Sequence, residues 1–386
     1  MPGAPLSLYI HIPFCAKRCG YCDFNTYTAT ELGNGVDQSN FHNSLISEIE
    51  LAAAQLGDRT VTTVFFGGGT PTLMGAQPLV ELMGAVRNNF TLAPDVEITT
   101  EANPDTVTEE LLTELLDSGF TRLSIGMQST APHVLAVLDR THAPGASERA
   151  AKMARTSGFE HVNLDLIYGT PGETDDDLRA SLETVLASGV DHVSAYALIV
   201  EDGTALSRKV ESGAIPAPDD DVCADRYEII DSILSDSGMQ WYEVSNWSRP
   251  GGECLHNIAY WRNADWWGVG PGAHSHVAGT RWWNVKHPAR YAAAVSGEGV
   301  LRAGEEELTA EQQHIEGVML GVRMRGGIPL TDLTHDHRSP ERIDQVTSQL
   351  LAAELIDEKA LLQDRIVLTR SGRLVANRVI TALLDA

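Results

Sequence analysis

Positive charge is scarce in this sequence. Its 28 lysines and arginines stand against 53 aspartates and glutamates, a net charge of −25 over 386 residues. Such a chain repels phosphate backbones and anionic lipid, which excludes nucleic-acid or membrane-surface binding through bulk charge, though not a local basic patch. A run of about 18 uncharged apolar residues is also lacking, so no membrane span is predicted. The apolar stretch near the N-terminus is interrupted by His11 and Pro13 and has no basic segment before it. No targeting signal is read there, and a cytoplasmic location is expected. Cysteine is limited to Cys15, Cys19, Cys22, Cys223 and Cys254. An odd count with three members crowded together excludes a disulfide framework and points to a metal site in a reducing compartment. Disorder is excluded by 43% apolar residues against 21% charged ones.

The first 200 residues alternate strand and helix patterns. Runs rich in β-branched residues at 6–12, 61–66, 96–100, 122–127, 161–167 and 192–200 are separated by stretches of helical period, such as Phe41, Leu45, Ile49 and Leu56. Six strands with helical crossovers imply parallel pairing, and right-handed crossovers curl the set into an α/β fold of partial (β/α)6, TIM-like barrel type. A looser segment around Gly203, Gly213, Pro216 and Pro218 leads to the acidic run 219–221 and a helix over 222–234. All seven tryptophans then fall between Trp241 and Trp283. Helices are expected at 310–322, 339–353 and 372–384, with a two-stranded piece around 356–368, together a small helical, winged-helix-like C-terminal domain. The division expected is 1–240, 241–300 and 301–386.

The most specific motif is Cys15-Ala-Lys-Arg-Cys19-Gly-Tyr21-Cys22, directly after the first strand. Three thiolates at C-x3-C-x2-C spacing can wrap one face of a cubane iron–sulfur cluster and leave the fourth iron open for a substrate. Structural zinc on the Cys19–Cys22 pair is the competing reading, but no second C-x2-C supplies the remaining ligands. Phe66-Gly67-Gly68-Gly69-Thr70-Pro71 closes the second strand, and its glycines permit close backbone approach to a ligand or simply a tight loop. Glu101, Gln128 and Asp165 sit at or near the carboxyl ends of later strands, the face on which barrel sites form. Each taken alone reads as a cap or a solvated strand end. Asp165 is the exception, because a carboxylate within an apolar strand is costly unless it is paired. Arg140 either answers an anionic group or faces solvent.

The cysteine loop, with an aromatic before its last cysteine, closely resembles the radical S-adenosylmethionine (SAM) superfamily. The spacing from Tyr9 to Asp165 is similar to that of its coproporphyrinogen oxidase-like group. This resemblance covers nearly the whole chain. It implies a 4Fe-4S cluster on Cys15, Cys19 and Cys22, with SAM on the open iron. It also implies SAM contacts from Tyr9, Tyr21 (through its backbone), Gly68, Gly69, Thr70, Glu101, Gln128, Arg140 and Asp165, and less firmly Ala197. Two features depart from the oxidases of the group: Phe24 stands where they carry a fourth cysteine, and only 14 residues precede Cys15.

The segment Cys254-Leu-His256-Asn257-Ile-Ala-Tyr260-Trp261 resembles instead the H-N-x-x-Y-W motif of the heme chaperones in that group. The implied function is to bind heme, a cluster and SAM and to transfer heme to an acceptor hemoprotein. On this reading His256 is the heme ligand, and Tyr260, Trp261, Trp266 and Trp267 are available to cover the ring. Arg262, Arg281 and Lys286 are the cations available for its propionates. The plain alternative for the motif is an aromatic core with a hydrogen-bonded histidine. His274 is a second possible ligand. Cys254 is left as ligand, attachment point or bystander, and Cys223 is read as packing. Monomer and homodimer both stay open. The alternative functions are radical SAM decarboxylation of coproporphyrinogen III and a plain iron–sulfur or zinc protein.

Replacing any one of Cys15, Cys19 or Cys22 with alanine is expected to abolish the brown cluster absorbance. Full iron and sulfide content in all three variants would overturn the cluster assignment.

Overall fold

A computed structural model describes residues 5–32, 36–333 and 339–385. Residues 1–4, on which the targeting reading partly rests, lie outside the described residues.

The six expected strands all form: β1 Leu6–Ile12, β2 Thr60–Gly68, β3 Thr91–Ala102, β4 Arg122–Gln128, β5 His161–Tyr168 and β6 His192–Ala197. They pair in parallel and in chain order, with register Tyr9↔Phe65, Phe66↔Thr100, Glu101↔Ser124, Gly126↔Asp165 and Asp165↔Ser194. Between them run five longer crossover helices, His42–Leu56, Ala76–Asn89, Glu109–Asp117, Ala146–Ser157 and Asp175–Ala187. Several begin where a side chain takes up an otherwise unpartnered amide. Thr108 accepts from Leu111 N–H, and Thr174 forms a reciprocal box with Asp177.

Strand side chains alternate between two faces with a period of two. On one face Leu8, Ile10, Val64, Phe66, Ile98, Leu123, Ile125, Leu164 and Val193 are buried with the apolar sides of the helices in one core. The other face carries Tyr9, Thr63, Glu97, Thr99, Arg122, Ser124, Asn163, Asp165, His192 and Ser194. A doubly covered parallel sheet usually reads as continuous apolar sequence. Here one of its two covered faces is polar.

Later segments extend this sheet at both edges. β7 Gln240–Glu243 and β8 Asn246–Ser248 form a hairpin whose β8 pairs antiparallel with β6. On the other side β9 Asp265–Val269 pairs in parallel with β1, followed by β10 His274–Val277, β11 Thr280–Asn284 and β12 Arg302–Glu307. The tryptophan-rich segment therefore contributes strands to opposite edges of one open, 12-stranded sheet. Glu48, buried on the first long helix, holds the β9 edge in place. It accepts hydrogen bonds from Gly270 N–H (2.7 Å), Tyr291 OH (2.5 Å) and Asn284 Nδ2 (2.8 Å).

Three expectations need correction. The loose segment before the acidic run contains a helix, Ala205–Glu211, started by the Thr204 side chain. The acidic run itself is a helix start, with the Asp219 carboxylate accepting from Asp221 and Val222 N–H at the head of Asp220–Asp236. At the C-terminus, residues Ile356 and Leu368 make a single bridge. The two-stranded pairing is Ile328–Pro329 with Arg365–Ile366, because Gly327 comes close to the Ile366 carbonyl where no Cβ would fit. The helices Ala310–Gly321, Pro340–Ala352 and Ala376–Leu384 pack around a core of their own that includes Val322, Leu350 and Val379. One buried carboxylate joins this region to the main sheet: Asp231 accepts from Arg373, Arg370 and Trp247 Nε1.

Burial raises the Glu48 carboxyl from its ordinary value of 4.5 to about 7, against the hydrogen bonds from Tyr291, Gly270 and Asn284. The folded state thus keeps a proton that the unfolded chain releases near pH 4.5. Its stabilising contribution is complete below that pH and is lost as the pH rises through about 7. Glu48→Gln, which cannot ionise, is expected to flatten the fall in Tm between pH 5 and 7. An unchanged slope would show that Glu48 does not carry it.

Candidate SAM and iron–sulfur site

The carboxyl ends of the parallel strands surround a cavity of about 560 Å³. Cys15, Cys19, Tyr21 and Cys22 line it from the loop after β1, Gly68, Gly69 and Thr70 from the end of β2, and Glu101, Gln128 and Asp165 from β3, β4 and β5. Tyr9, Arg140 and His256 line it as well. Of the expected SAM contacts, Ala197 alone is absent from the wall; it pairs with Tyr168 in the sheet and packs against the core.

Backbone hydrogen bonds hold the cysteine loop from several sides. Cys15 N–H donates to Tyr27 O (3.0 Å), Gly20 N–H to Leu138 O (3.0 Å), and Leu206 N–H to Gly20 O (2.7 Å). Arg140 donates from Nη1 to Cys19 Sγ (3.5 Å) and from Nη2 to Gly126 O (3.0 Å). Among the described residues no three Cys, His, Asp or Glu side chains converge tightly enough to hold one metal ion. Three thiols of one loop that face a common cavity are the donor set that a cubane, in which each iron takes its own thiolate, would use.

The glycine run is explained mainly by packing. Gly68 has φ of +112°, and a Cβ there would lie 2.6 Å from the His11 ring. A Cβ on Gly69 would meet the Phe14 carbonyl oxygen at 2.3 Å and Cys15 Sγ at 3.0 Å. These glycines therefore bring the second strand end against the cysteine loop. Gly68 N–H donates to Glu101 Oε2 (3.0 Å), so the loop is also tied to β3.

Burial raises the Glu101 carboxyl to about 8, the nearby Asp165 adds to the rise, and the Gly68 amide opposes it. Burial raises Asp165 as well, against hydrogen bonds from Ser194, Asn163 and Ser124 and the charge of Arg140. Gln128 takes a left-handed φ of +61° at its strand end. Its Oε1 and the Nε of Arg140 are buried without a hydrogen-bond partner. An unused acceptor and an unused donor in residues that line one cavity fit a ligand that supplies both, as the amino-acid and ribose groups of SAM do.

The H-N-x-x-Y-W segment forms the short helix Leu255–Trp261. Glu97 of β3 receives its start, accepting from Leu255 N–H (3.0 Å), His256 N–H (3.0 Å) and the Cys254 thiol (3.5 Å). Arg122 of β4, fully buried, donates to Glu97 Oε2 (3.0 Å) and to the carbonyls of Gly252 and Glu253. Burial raises the Cys254 thiol far above its ordinary value, so it stays neutral, a hydrogen-bonded neighbour of Glu97. Asn257 reaches Tyr242 OH (3.2 Å) and Glu243 Oε1 (3.0 Å).

His256 itself is buried between Phe65 and Tyr260, with Nδ1 2.8 Å from Thr63 Oγ1 and Nε2 2.9 Å from Tyr260 OH. Thr63 spends its hydroxyl proton on Ser7, so it accepts from His256 Nδ1–H, and the Nε2 lone pair receives the tyrosine proton. Burial lowers its pKa to about 3, which keeps the ring neutral. The plain alternative of a hydrogen-bonded aromatic core thus describes its surroundings, while the ring still borders the cavity.

The other expected heme contacts lie elsewhere. His274 stacks on Trp283, and Trp267 packs edge-on against Trp282 in the core. Arg281 is engaged by Glu316, and neither Arg262 nor Lys286 lines the cavity. The residues missed by motif reading are those of the inner wall, Arg122, Ser124, Asn163, His192, Ser194 and Tyr242, together with Glu97, which pairs with Arg122. The polar alternation along β3 to β6 was the signal that could have found most of them.

Comparison with known proteins bears on the family and the fold. The model of the radical SAM superfamily matches residues 9–185. The chain is 54% identical over 384 residues to the heme chaperone HemW of Mycobacterium tuberculosis (strain H37Rv), covering all of this chain and 96% of that one. The chain belongs to the HemW family. It is also 34% identical to heme chaperone HemW of Bacillus subtilis, over 98% of this chain and 99% of that one. Among solved structures, coproporphyrinogen III oxidase HemN of Escherichia coli shares the fold, with a TM-score of 0.82, 24% identity, and coverage of 99% of this chain and 91% of that one. HemW members thus share the radical SAM architecture with an oxidase, and the fold by itself does not separate the two activities.

Because Gly69 abuts both Phe14 and Cys15, Gly69→Val is expected to lose cluster iron and SAM binding together. A variant with full iron and sulfide that fails only in SAM binding would assign the glycine to the ligand rather than to the loop.

Proposed function

We propose that the chain is a heme chaperone, which binds heme, a 4Fe-4S cluster and SAM and passes heme to an acceptor hemoprotein. The observation that carries this reading is that His256 and Tyr260 of the H-N-x-x-Y-W motif line the same cavity as the three motif cysteines. Full-length relatives named heme chaperones support it. When bound, cluster and SAM supply one-electron chemistry; the chain contributes binding, orientation and exclusion of water.

Cys15, Cys19 and Cys22 hold the cluster, and Arg140 donates to the sulfur of Cys19. Gln128, Arg140 and Asp165 present the polar groups for SAM, with Glu101 bracing the Gly68 turn. His256 is the heme ligand through Nε2. It is neutral, as ligation requires, and Thr63 holds its other nitrogen, the usual outer-shell arrangement of a metal-binding histidine. One tyrosine hydroxyl covers the lone pair, so heme binding requires Tyr260 to turn aside.

No helix among the described residues is long and apolar enough to cross a membrane. The thiols call for a reducing compartment, and we place the protein in the cytoplasm, as a monomer or homodimer.

An anaerobic heme titration followed by the Soret band tests this reading. The reconstituted protein should show a saturable one-to-one change that is lost in His256→Ala. Tyr260→Phe, which uncovers Nε2, should bind at least as tightly as the parent. Absence of specific binding by the parent protein would overturn the proposal.

A further inference from the structure

Charge within the cavity runs opposite to charge over the chain. Its wall includes four cations, Lys17, Arg18, Arg122 and Arg140, and two carboxylates, Glu101 and Asp165. Burial shifts both carboxylates toward their neutral forms. A cationic cavity in a protein of net charge −25 marks it for an anionic ligand, because low-dielectric walls focus the local field.

The four cations divide by depth. Arg122 is buried against Glu97, and Arg140 is committed to Cys19 and the Gly126 carbonyl. Lys17 and Arg18 are exposed, on the turn between Cys15 and Cys19. Arg18 donates to the Thr26 carbonyl and leans on Glu31 at 3.5 Å, an exposed ion pair that costs little to exchange. Lys17 has no ion-pair or hydrogen-bond partner among the described residues.

Two aromatic residues of the same wall are open to the cavity. Phe24, just after Cys22, is 58% exposed, and Tyr196, near the end of β6, is 45% exposed. An aromatic side chain left open on a cavity wall offers a flat apolar face to a planar ligand.

We infer that this rim is the porphyrin seat: the two propionates of heme are held by Lys17 and Arg18, and the ring edge rests against Phe24 and Tyr196. The inference rests on the heme-chaperone reading and deepens it. Charged propionates stay at the water-facing edge while the apolar ring enters the cavity, toward Tyr260 and His256. A propionate on Lys17 gains a charge-assisted hydrogen bond from a cation that has no other partner. The cations after the motif helix, Arg262, Arg281 and Lys286, take no part. The position at which related oxidases carry a further cysteine is, in this chain, part of the heme seat.

The test compares heme with its propionate dimethyl ester, titrated anaerobically into the reconstituted full-length protein and its Lys17→Glu and Phe24→Ser variants. Both residues are exposed, so iron and sulfide content should match the parent. Lys17→Glu should weaken heme binding about tenfold and leave diester binding unchanged. Phe24→Ser should weaken both ligands. Parent-like heme affinity in both variants, with binding still lost in His256→Ala, would overturn the rim seat and leave the chaperone reading standing. An equal loss for heme and diester in Lys17→Glu would also overturn it, since the lysine would then act on the loop and not on a propionate. No heme binding by the parent would remove both. Should Lys17→Glu lose iron, Lys17→Gln gives the same comparison with less disturbance of the loop.

Discussion

The structure depends on keeping a polar face inside a buried parallel sheet. An unpaired amide or hydroxyl in such a place costs about 1–3 kcal/mol, and an unpaired charge costs more. Hydrogen bonds across neighbouring strands offset this cost. Asn163 donates to Asp165, Ser124 and Ser194, and its carbonyl meets His192, whose other nitrogen meets Tyr242. The network spans β4, β5, β6 and β7, so each strand's register is set by its neighbours' side chains as well as by its backbone ladder. Outside this network some buried polar groups are left unsatisfied, notably Gln128 Oε1, Arg140 Nε and Arg122 Nη1. All three residues line the cavity.

The same principle positions the helix that carries His256. A seven-residue helix has little stability of its own. Its first amides are bound by Glu97, and Arg122 both neutralises that carboxylate and holds the preceding turn. The imidazole is then pinned by Thr63 on β2. Three strands of the sheet therefore set one side chain. Glu48 plays a comparable part for the β9 edge and Asp231 for the C-terminal region, each a buried carboxylate with several donors. Long-range attachment in this protein runs repeatedly through single acidic groups, which gives part of the acidic composition a structural use.

Much of the framework was legible from local pattern. The β-branched runs marked all six parallel strands because they form continuous or alternating apolar stretches. The cysteine spacing, the glycine turn and the carboxylates at strand ends were visible because each motif is short and tied to one strand terminus. The aromatic segment was not. Its strands β7 and β9 lie close in sequence but join opposite edges of the sheet, and no local periodicity encodes which edge a strand will pair with. The C-terminal pairing was misread for a related reason: Ile328 and Ile366 are far apart in the chain, and the two-residue strands carry almost no pattern.

The sequence by itself determined the cysteine motif, the parallel pairing of the strands and the identity of the H-N-x-x-Y-W motif, because these depend on neighbours within a turn or a single β/α unit. Tertiary structure decided what those residues face. It set Thr63 on one nitrogen of His256 across 193 positions of chain, whereas Tyr260 meets the other from one turn along the same helix. It also took up Arg281 with Glu316 and left Lys17 beside the open cavity. A side chain's chemical type is local, but its partners and exposure follow from which distant segments pack against it. For this protein the fold fixes one imidazole nitrogen of His256 through Thr63, while the hydroxyl on the other comes from the next turn of its own helix.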